Sequence, residues 1–517
     1  MEQATETFTH FKDVVADAMS NTAQEGKSSV EDAHVEAHNI FRSAAGHAAH
    51  NERKKDPQDE GDDKAIPGIT EPGSTGVIYV MDRASANGFG YDSEDWANFG
   101  QGAPEVGPIP GGSERPTVID LAAMGVGVNE YAPTAGVKPL REAVANLYNH
   151  TYRQGKESKY THENVCIVPG GRAGLIRVAA VIGECYVAYQ IPEYTAYSSM
   201  LSCFRRLVPV PTSLSSQDRY KLHIPELRNS IKSMGISVIV LSNPRNPTGQ
   251  VIRGKELEEV VQVAREGTTV VLDEFYSWYQ YDDDMKGSSV SAAAYVDDVN
   301  KDPVVLIDGL TKNFRLPGWR CCWVVGPKSL IKALGQSGSY LDGGCSHPTQ
   351  LAAIPLLEPS RVQQDKLALQ KCFKHKRDHV LERLEEMGLK VEVPPTSTFY
   401  IWLDLSSLPD PLNSGLVFFE ELLKEKTIVV PGIFFDINPS HRRNLFDSPC
   451  NHFVRLSFGP PLAELDRGLD GIQRLVDRAR HHYKTDGHLM NGMGKGYAVS
   501  ESEHRTRGSL DASSSGS

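Results

Sequence analysis

Four short motifs place residues that can do chemistry near the ends of apolar, β-branched segments. They are Ser242–Gly249 (SNPRNPTG), Asp273–Tyr276 (DEFY), Thr311–Phe314 (TKNF) and Phe453–Phe458 (FVRLSF). Together they supply an amide, a carboxylate, an amine and a guanidinium, which are groups that exchange protons and hold anions. Each motif alone is typical of a turn, a helix cap or a surface charge. Only their combination and order indicate an active site.

A glycine-rich turn at Pro169–Gly174 (PGGRAG) lies between a predicted strand and a predicted helix that opens at Leu175. Glycines allow a ligand to approach the backbone closely, and the N-terminus of a helix favours an anion. A plain strand-to-helix turn would use the same glycines. With the four motifs beside it, the turn becomes a candidate phosphate site.

In this order the motifs resemble those of the class I/II pyridoxal-phosphate-dependent aminotransferases (fold type I, the aspartate aminotransferase superfamily), over about residues 95–480. The resemblance implies pyridoxal 5′-phosphate as cofactor, an electron sink for the carbanion formed at the Cα of an amino acid. It also implies ping-pong transfer of an amino group from an α-amino acid to a 2-oxo acid.

The resemblance assigns catalytic roles to residues of three motifs. Lys312 matches the Schiff-base lysine, whose amine can also act as proton shuttle. Asp273 matches the carboxylate that keeps the pyridine nitrogen protonated. Its neighbour Glu274 would face the opposite way if the strand continued. Asn246 and Tyr276 match the residues that hydrogen-bond the phenolic oxygen of the cofactor.

The resemblance also implies a phosphate site and a stacking ring. The phosphate would lie against residues from three segments, namely Gly171, Arg172, Ala173, Thr311 and Arg320. Tyr194 matches the ring that stacks on the pyridine. Two positions depart from the family pattern. Gly309 stands where a serine is frequent, and Arg172 stands where a small or hydroxyl residue is usual. Thr311 and Arg172 could supply the missing hydrogen bonds, but Arg172 could equally point towards the substrate.

Further matches concern the substrate and a second subunit. Arg455 resembles the arginine that grips the α-carboxylate through two parallel hydrogen bonds. Gly102 resembles a glycine whose backbone lines the substrate side, where Asn246 also belongs. Tyr131 resembles the tyrosine that reaches the phosphate of the neighbouring subunit, which implies a homodimer with shared active sites. The stretch at Ser346 and His347 is a second candidate for that interface.

The elements that must position these residues alternate between strand and helix patterns. Lys255–Ala264 has apolar residues at helical spacing and predicts a helix. Apolar runs predict six strands, at Val165–Val168, Tyr186–Tyr189, Val238–Leu241, Thr269–Leu272, Val304–Ile307 and Cys322–Val325. This alternation predicts an α/β fold. We expect a large domain with a mostly parallel sheet, seven-stranded by the resemblance and covered by helices, plus a smaller α+β domain.

Five segments are predicted along the chain: an acidic disordered tail at 1–70, an N-terminal arm and part of the small domain at 71–128, a large cofactor-binding domain at 129–350, a long linking helix and small domain at 351–483, and a disordered tail at 484–517. The small domain should contain, in chain order, a helix at Leu351–Met387, strands at Lys390–Val393 and Phe399–Leu403, a helix at Leu416–Glu425, a strand at Phe453–Ser457 and a helix at Leu462–Arg480. Segment Phe434–Asn451, with Arg442 and Arg443, is either a lid or an ordinary surface loop.

Composition narrows the class of protein. The 517 residues carry a formal charge of −12, which argues against a broad nucleic-acid surface. No apolar run is long enough for a membrane span, and the acidic N-terminus is unlike a secretory or mitochondrial signal. We therefore expect a cytoplasmic enzyme. The eight cysteines include no CxxC pair, so no zinc or dithiol site is expected.

Other functions remain open at the level of sequence. Elimination, ring-forming lyase and oxidase reactions on the same cofactor would use Lys312, Asp273 and Arg455 too, so these residues cannot separate them from transamination. A DNA-binding regulator is disfavoured because the first 70 residues are acidic and lack apolar periodicity. The amino-acid and oxo-acid substrates are not predicted. Aromatic residues could line a substrate pocket or belong to the core, among them Tyr197, Trp278, Tyr279 and Phe399.

Overall fold

Valine- and isoleucine-rich segments of the chain form the strands. The computed structural model describes residues 76–203, 208–213, 215–438 and 448–490. In chain order its strands are β1 (Ala97–Asn98), β2 (Val165–Val168), β3 (Tyr186–Ile191), β4 (Val208–Ser213), β5 (Ile236–Ser242), β6 (Thr269–Asp273), β7 (Val304–Gly309), β8 (Cys322–Val325), β9 (Tyr400–Asp404), β10 (Thr427–Ile428), β11 (Val430–Pro431) and β12 (Phe453–Ser457).

The helices follow the predicted apolar faces, as in the buried Leu257, Val260 and Val261. They are α1 (Val77–Ala86), α2 (Leu121–Met124), α3 (Lys138–Tyr152), α4 (Gly171–Val181), α5 (Ala196–Cys203), α6 (Ile224–Met234), α7 (Gly254–Arg265), α8 (Lys328–Leu341), α9 (His347–Ala353), α10 (Pro359–Glu386), α11 (Gly415–Leu423) and α12 (Leu462–Met490). Short 3₁₀ helices occupy Val126–Asn129, His162–Asn164, Asp283–Met285, Ala292–Ala294, Pro317–Trp319, Ile354–Leu357 and Gly432–Phe435.

The central sheet has seven strands in the order β2-β8-β7-β6-β5-β3-β4. The pairs from β4 to β7 are parallel, whereas β8 runs antiparallel to both β7 and β2. Its inner strands are apolar and fully buried, as expected for a sheet covered by helices on both faces. The predicted α/β class with a mostly parallel sheet is therefore confirmed.

A second, small sheet has the antiparallel order β11-β12-β9, and β1 pairs in parallel with β10. In its register Arg455 of β12 lies opposite Trp402 of β9 and Val430 of β11. The N-terminal segment that carries β1 therefore lies beside the small sheet, although it is more than 300 residues distant in the chain. The bounds of the five predicted segments stay predictions.

Several predicted elements differ from those observed. The helix predicted at Leu351–Met387 is divided into α9, a 3₁₀ turn and α10, because Pro355 and Pro359 lack the N–H that a continuous helix needs. Lys390–Val393 is not a strand; Val391 and Val393 are buried without a neighbouring strand. The last helix reaches Met490, past the boundary predicted for the tail.

Strand β4 was not predicted, and its sequence VPVPTS explains why. Proline cannot donate to a strand ladder, so its pattern argues against a central strand. β4 lies at the edge of the sheet, where prolines are tolerated. The predicted tail at 1–70, residues 491–517 and much of the proposed lid, including Arg442 and Arg443, lie outside the described residues. No helix among the described residues is long and apolar enough to cross a membrane.

The departure at Gly309 has a packing cause that can be tested. Gly309 pairs with Cys322 across β7 and β8, and an added Cβ would lie 2.5 Å from Cys322 Cα. We expect Gly309→Ser to lower the free energy of unfolding by about 2 kcal/mol, because the strands cannot separate without losing their ladder. Chemical denaturation measures this. Gly183→Ser, in open space, is the control and should change it by less than about 0.5 kcal/mol; equal midpoints for the two variants would contradict the packing argument.

Candidate active site

The parallel strands bring most of the motifs to one edge of the sheet. β2, β3, β5, β6 and β7 run in the same direction, so the segments that follow them all emerge where their carboxyl ends lie. Strand β8 is reversed, and Arg320 lies two residues before its start at that same edge. Such an edge is where α/β proteins place their ligands.

Lys312 follows β7 and is half-buried. Its amine donates a hydrogen bond to the carbonyl of Gly102, which belongs to the N-terminal segment near β1. The hydroxyl of Tyr279 donates to the Lys312 carbonyl at 2.8 Å and fixes the backbone there. Lys312 and Gly102, which were both predicted for the site, are therefore in contact. Tyr279, for which the sequence allowed either a core or a pocket position, holds the backbone of the lysine.

The surroundings of Lys312 favour its neutral amine. Burial, with a smaller contribution from the positive charges of Arg455 and Arg172, lowers its pKa from the ordinary 10.5 to about 7, while Asp273 opposes the shift. An amine with such a pKa is partly unprotonated near neutral pH. It can therefore accept a proton or attack a carbonyl carbon.

Asp273 ends β6 and is buried. The hydroxyl of Tyr197 donates to its carboxylate at 3.4 Å, and so does the N–H of Phe275. Burial raises the pKa of Asp273 to about 7, partly offset by these hydrogen bonds and by Lys312. A cationic ligand beside this carboxylate would lower its pKa and be stabilised in return.

Glu274 points away from this site, as its place in the strand predicts. Its carboxylate accepts hydrogen bonds from the N–H of Ala292, at 2.8 Å, and from the hydroxyl of Ser291. Burial raises its pKa to about 8. Glu274 thus caps the 3₁₀ turn Ala292–Ala294, and the two adjacent acids have separate surroundings.

The loop after β5 is held by its own buried polar groups. The N–H of Asn243 donates to the carbonyl of Asp273 at 2.8 Å. The buried guanidinium of Arg245 donates to the side chain of Gln190, also at 2.8 Å. These contacts fix Asn246, whose side-chain oxygen accepts a hydrogen bond from Arg455 at 3.1 Å.

Arg455 has the most constrained guanidinium of the site, with 2% of its surface exposed. Besides its bond to Asn246, it donates to the carbonyl of Gly100 at 2.8 Å. Its carbon Cζ lies 4.2 Å from the ring centre of Tyr400 and 5.0 Å from that of Phe435. Its Nε is buried and has no protein partner within the described residues. The geometry therefore leaves hydrogen-bonding capacity for an anion.

Tyr400 and Phe435 were missed by sequence reasoning. The hydroxyls of Tyr400 and Tyr276 hydrogen-bond at 2.8 Å, which joins the small sheet to the segment after β6. Tyr400 faces Arg455 because β9 pairs with β12. The alternation of Tyr400 and Trp402 indicates a strand, but no local signal identifies which strand it pairs with.

The glycine-rich turn, called the cradle below, lies at the start of α4, whose first turn includes Ala173. Gly170 has φ +99°, and a Cβ there would overlap the guanidinium of Arg320. A Cβ on Gly171 would overlap the ring of Phe275. Gly170 therefore allows Arg320 to lie against the helix N-terminus, where backbone N–H groups favour an anion, and Gly171 makes room for Phe275.

Neighbouring side chains extend this cradle. Arg172 is exposed, and its Nε donates to the hydroxyl of half-buried Tyr194 at 3.2 Å. Thr311 contacts the sulfur of Cys322 at 3.1 Å. The side chain of Tyr131 is almost fully exposed, at 98% of its surface.

Comparisons with known proteins agree with this geometry. Residues 94–472 match the family described as aminotransferase class I and II. The chain is 27% identical over 390 residues to a probable aspartate/prephenate aminotransferase of Aquifex aeolicus, covering 74% of this chain and 90% of that protein. It is 26% identical over 397 residues to a bifunctional aspartate and glutamate/aspartate-prephenate aminotransferase of Petunia hybrida, covering 72% and 77%.

Solved structures share the fold. Thermus thermophilus aspartate aminotransferase with maleate has a TM-score of 0.64 at 24% identity, covering 79% of this chain and 100% of that one. A Mycobacterium tuberculosis aminotransferase also has a TM-score of 0.64, at 22% identity and with coverage of 80% and 99%. The family match spans most of the chain and contains the five motifs, so the protein belongs to the class I and II aminotransferases and depends on pyridoxal phosphate.

Proposed function

We propose that this aminotransferase moves an amino group between an α-amino acid and a 2-oxo acid at the crevice around Lys312, in ping-pong fashion. The observation that carries the proposal is the meeting of Lys312 with Gly102 and of Arg455 with Asn246. An amine of lowered pKa then lies near a buried guanidinium with an unused donor. An α-amino acid offers a carbonyl-reactive amine and a carboxylate, and the crevice accommodates both.

The residues fit pyridoxal phosphate at both ends of the molecule. The cradle formed by Gly170, Gly171 and Arg320 suits the phosphate. Thr311 and Arg172 add donors, and Ala173 adds backbone. Buried Asp273, which has no cationic partner among its described hydrogen bonds, suits the protonated pyridine nitrogen. Bound pyridoxal phosphate supplies an electron sink for the negative charge that develops at the substrate Cα.

The residues around the bound cofactor would have separate roles. The amine of Lys312 would hold the cofactor and move the proton at Cα. Asp273 would hold the proton of the ring nitrogen, and Tyr194 would stack on the ring. Asn246 and Tyr276 would donate to the phenolic oxygen, with the hydroxyl of Tyr400 orienting Tyr276.

Arg455 would bind the α-carboxylate of the substrate. Its contacts with Asn246, Gly100 and the ring of Tyr400 hold the guanidinium plane before substrate arrives. A guanidinium that is already held in one orientation loses little conformational entropy when it binds a planar carboxylate. The relatives named above, and an aromatic-amino-acid aminotransferase of Thermococcus litoralis that is 25% identical, make aspartate and aromatic amino acids the first donors to test.

We also propose a homodimer in which Tyr131 reaches the phosphate site of the other subunit. Exposed apolar side chains surround this tyrosine in the chain and favour a protein contact, namely Val118, Ile119, Leu121 and Val126. His347, in the second stretch predicted for the interface, contacts the carbonyl of Glu130 at 3.1 Å. The free thiols of the described cysteines favour a reducing compartment, so we propose that the enzyme acts in the cytoplasm.

The lowered pKa of Lys312 predicts how cofactor-free enzyme recombines with pyridoxal phosphate. The neutral amine attacks the aldehyde, so the recombination rate should rise with pH and level off above about 7. Stopped-flow absorbance measures the rate. Arg455→Met removes a neighbouring positive charge, so its midpoint should move to higher pH, whereas Arg228→Met at the surface should leave it unchanged. A midpoint near 10 in the unmodified enzyme would refute the assignment.

The reaction itself is tested with single amino acids and holoenzyme. Aspartate or phenylalanine should convert the lysine-bound cofactor to its amino form and release the matching 2-oxo acid, and a second 2-oxo acid should restore the cofactor. Lys312→Ala should abolish turnover. Arg455→Lys should lower kcat/KM about 100-fold, since one ammonium replaces a planar fork. Release of ammonia or peroxide instead of the amino form would favour lyase or oxidase chemistry.

A hybrid experiment tests the shared site. Tyr131→Ala and Lys312→Ala homodimers are each expected to have little activity. In a mixed dimer, the Lys312→Ala chain lends Tyr131 to the site that retains Lys312, which restores one complete site. Co-expression with two affinity tags isolates the hybrid, and activity above that of both parents is expected. Monomeric protein, or a hybrid no better than its parents, would rule out the shared site.

A further inference from the structure

A cavity of about 390 Å³ is lined by none of the residues assigned to the crevice. Its walls are the C-terminal part of α3, the turn Gly287–Ser289 and the first turns of α10. The volume falls within the range of roughly 300–1,000 Å³ typical of small-molecule sites. None of the described residues that line it is acidic.

Lys366 of α10 lines this cavity and is 3% exposed. No hydrogen bond or ion pair to its amine occurs within the described part of the chain. Lys376, ten residues further along the same helix, is equally buried but donates to the carbonyl of Pro460 at 2.6 Å and pairs with Glu105 at 2.6 Å. Of the two buried lysines of this helix, Lys376 is thus paired, and Lys366 is not.

The electrostatics at Lys366 lack a compensating charge. Burial alone lowers its pKa to about 8. Asp308 lines a narrow adjoining void with Lys366, but its carboxylate is engaged by Asn313 at 3.0 Å and by the N–H of Gly309 at 2.6 Å, and burial raises its pKa. Glu358 lies near His150 but is at the surface. The ammonium of Lys366 therefore borders a cavity that no described acidic side chain lines.

The walls are preorganised and carry neutral hydrogen-bonding groups. Gln370 accepts from the N–H of Gly287 at 2.7 Å and donates to the carbonyl of Ser288 at 2.8 Å, which ties the turn to α10. Thr151, Gln154 and Gln363 also line the space. Lys366 is the fixed cation of the lining, and the imidazole of His150 also borders the space. A single ammonium among mostly neutral groups suits a carboxylate better than a phosphate, which usually requires several cationic groups.

We propose that this cavity is a second ligand site, which binds a small organic carboxylate with Lys366 as its counter-ion. The site is independent of the proposed aminotransferase chemistry. Binding replaces the water lost by the buried ammonium with a charge-assisted hydrogen bond.

Competitive acetylation of the holoenzyme at pH 8 tests the proposal. Limiting acetic anhydride labels both Lys366 and the exposed Lys371 of the same helix, and peptide mass spectrometry gives their ratio. Sodium malonate should reduce Lys366 labelling about threefold at twice its dissociation constant and leave Lys371 unchanged. Sodium chloride at matched ionic strength and sodium phosphate are the comparison anions. The Arg455→Lys enzyme should show the same protection, because its crevice is not involved.

A variant pair keeps the test independent of labelling chemistry. Lys366→Met should fold with an unchanged or higher Tm, since an unpaired buried charge is removed. Malonate should raise the Tm of the unmodified enzyme and of Lys371→Met more than that of Lys366→Met. The proposal fails if malonate does not protect Lys366, if chloride protects it equally, or if only phosphate does so. It also fails if Arg455→Lys abolishes protection.

Discussion

The buried guanidinium of Arg455 joins three regions that are remote in sequence. It lies on a strand of the small sheet, donates to the carbonyl of Gly100 in the N-terminal segment, and donates to Asn246 in the loop after β5. A buried cation is costly unless its hydrogen bonds are satisfied, so these partners are tightly specified. The remaining Nε donor is the part left for a ligand. The crevice depends on this contact because it fixes the small sheet against the carboxyl edge of the large one.

Desolvation acts on the two central ionisable groups in opposite directions. It lowers the pKa of Lys312 and raises that of Asp273, each to about 7. Both groups are thus prepared to exchange protons near neutral pH in the protein itself. In the proposed reaction, Lys312 would move the proton at the substrate Cα and Asp273 would hold the proton of the ring nitrogen. Glu274, adjacent in the chain, titrates in a different environment because the strand turns it away.

Helix α10 carries two buried lysines, Lys366 and Lys376, whose surroundings differ. Near its middle, Lys376 is held by Glu105 and by the backbone before α12, which keeps the N-terminal segment close to the small sheet. Near its start, Lys366 borders the second cavity without such a partner. The same buried residue type is therefore structural at one turn of the helix and available to a ligand at another, and the difference lies entirely in the neighbouring acceptors.

The alternation of strands and helices, the α/β class and the motif residues could be predicted from the amino-acid sequence, because apolar periodicity and turn chemistry are local properties. Strands such as Val165–Val168 and Phe453–Ser457 have the predicted bounds. The proline-rich edge strand β4 and the break between α9 and α10 were less evident, since edge position and proline geometry depend on context. The folded structure was needed to show three contacts. Tyr400 hydrogen-bonds Tyr276 and lies over Arg455, Gly309 packs against Cys322, and Lys366 lines a cavity. Each of these contacts joins segments that are distant in the chain. Such contacts depend on which strands pair and how helices pack, and local sequence patterns do not specify either.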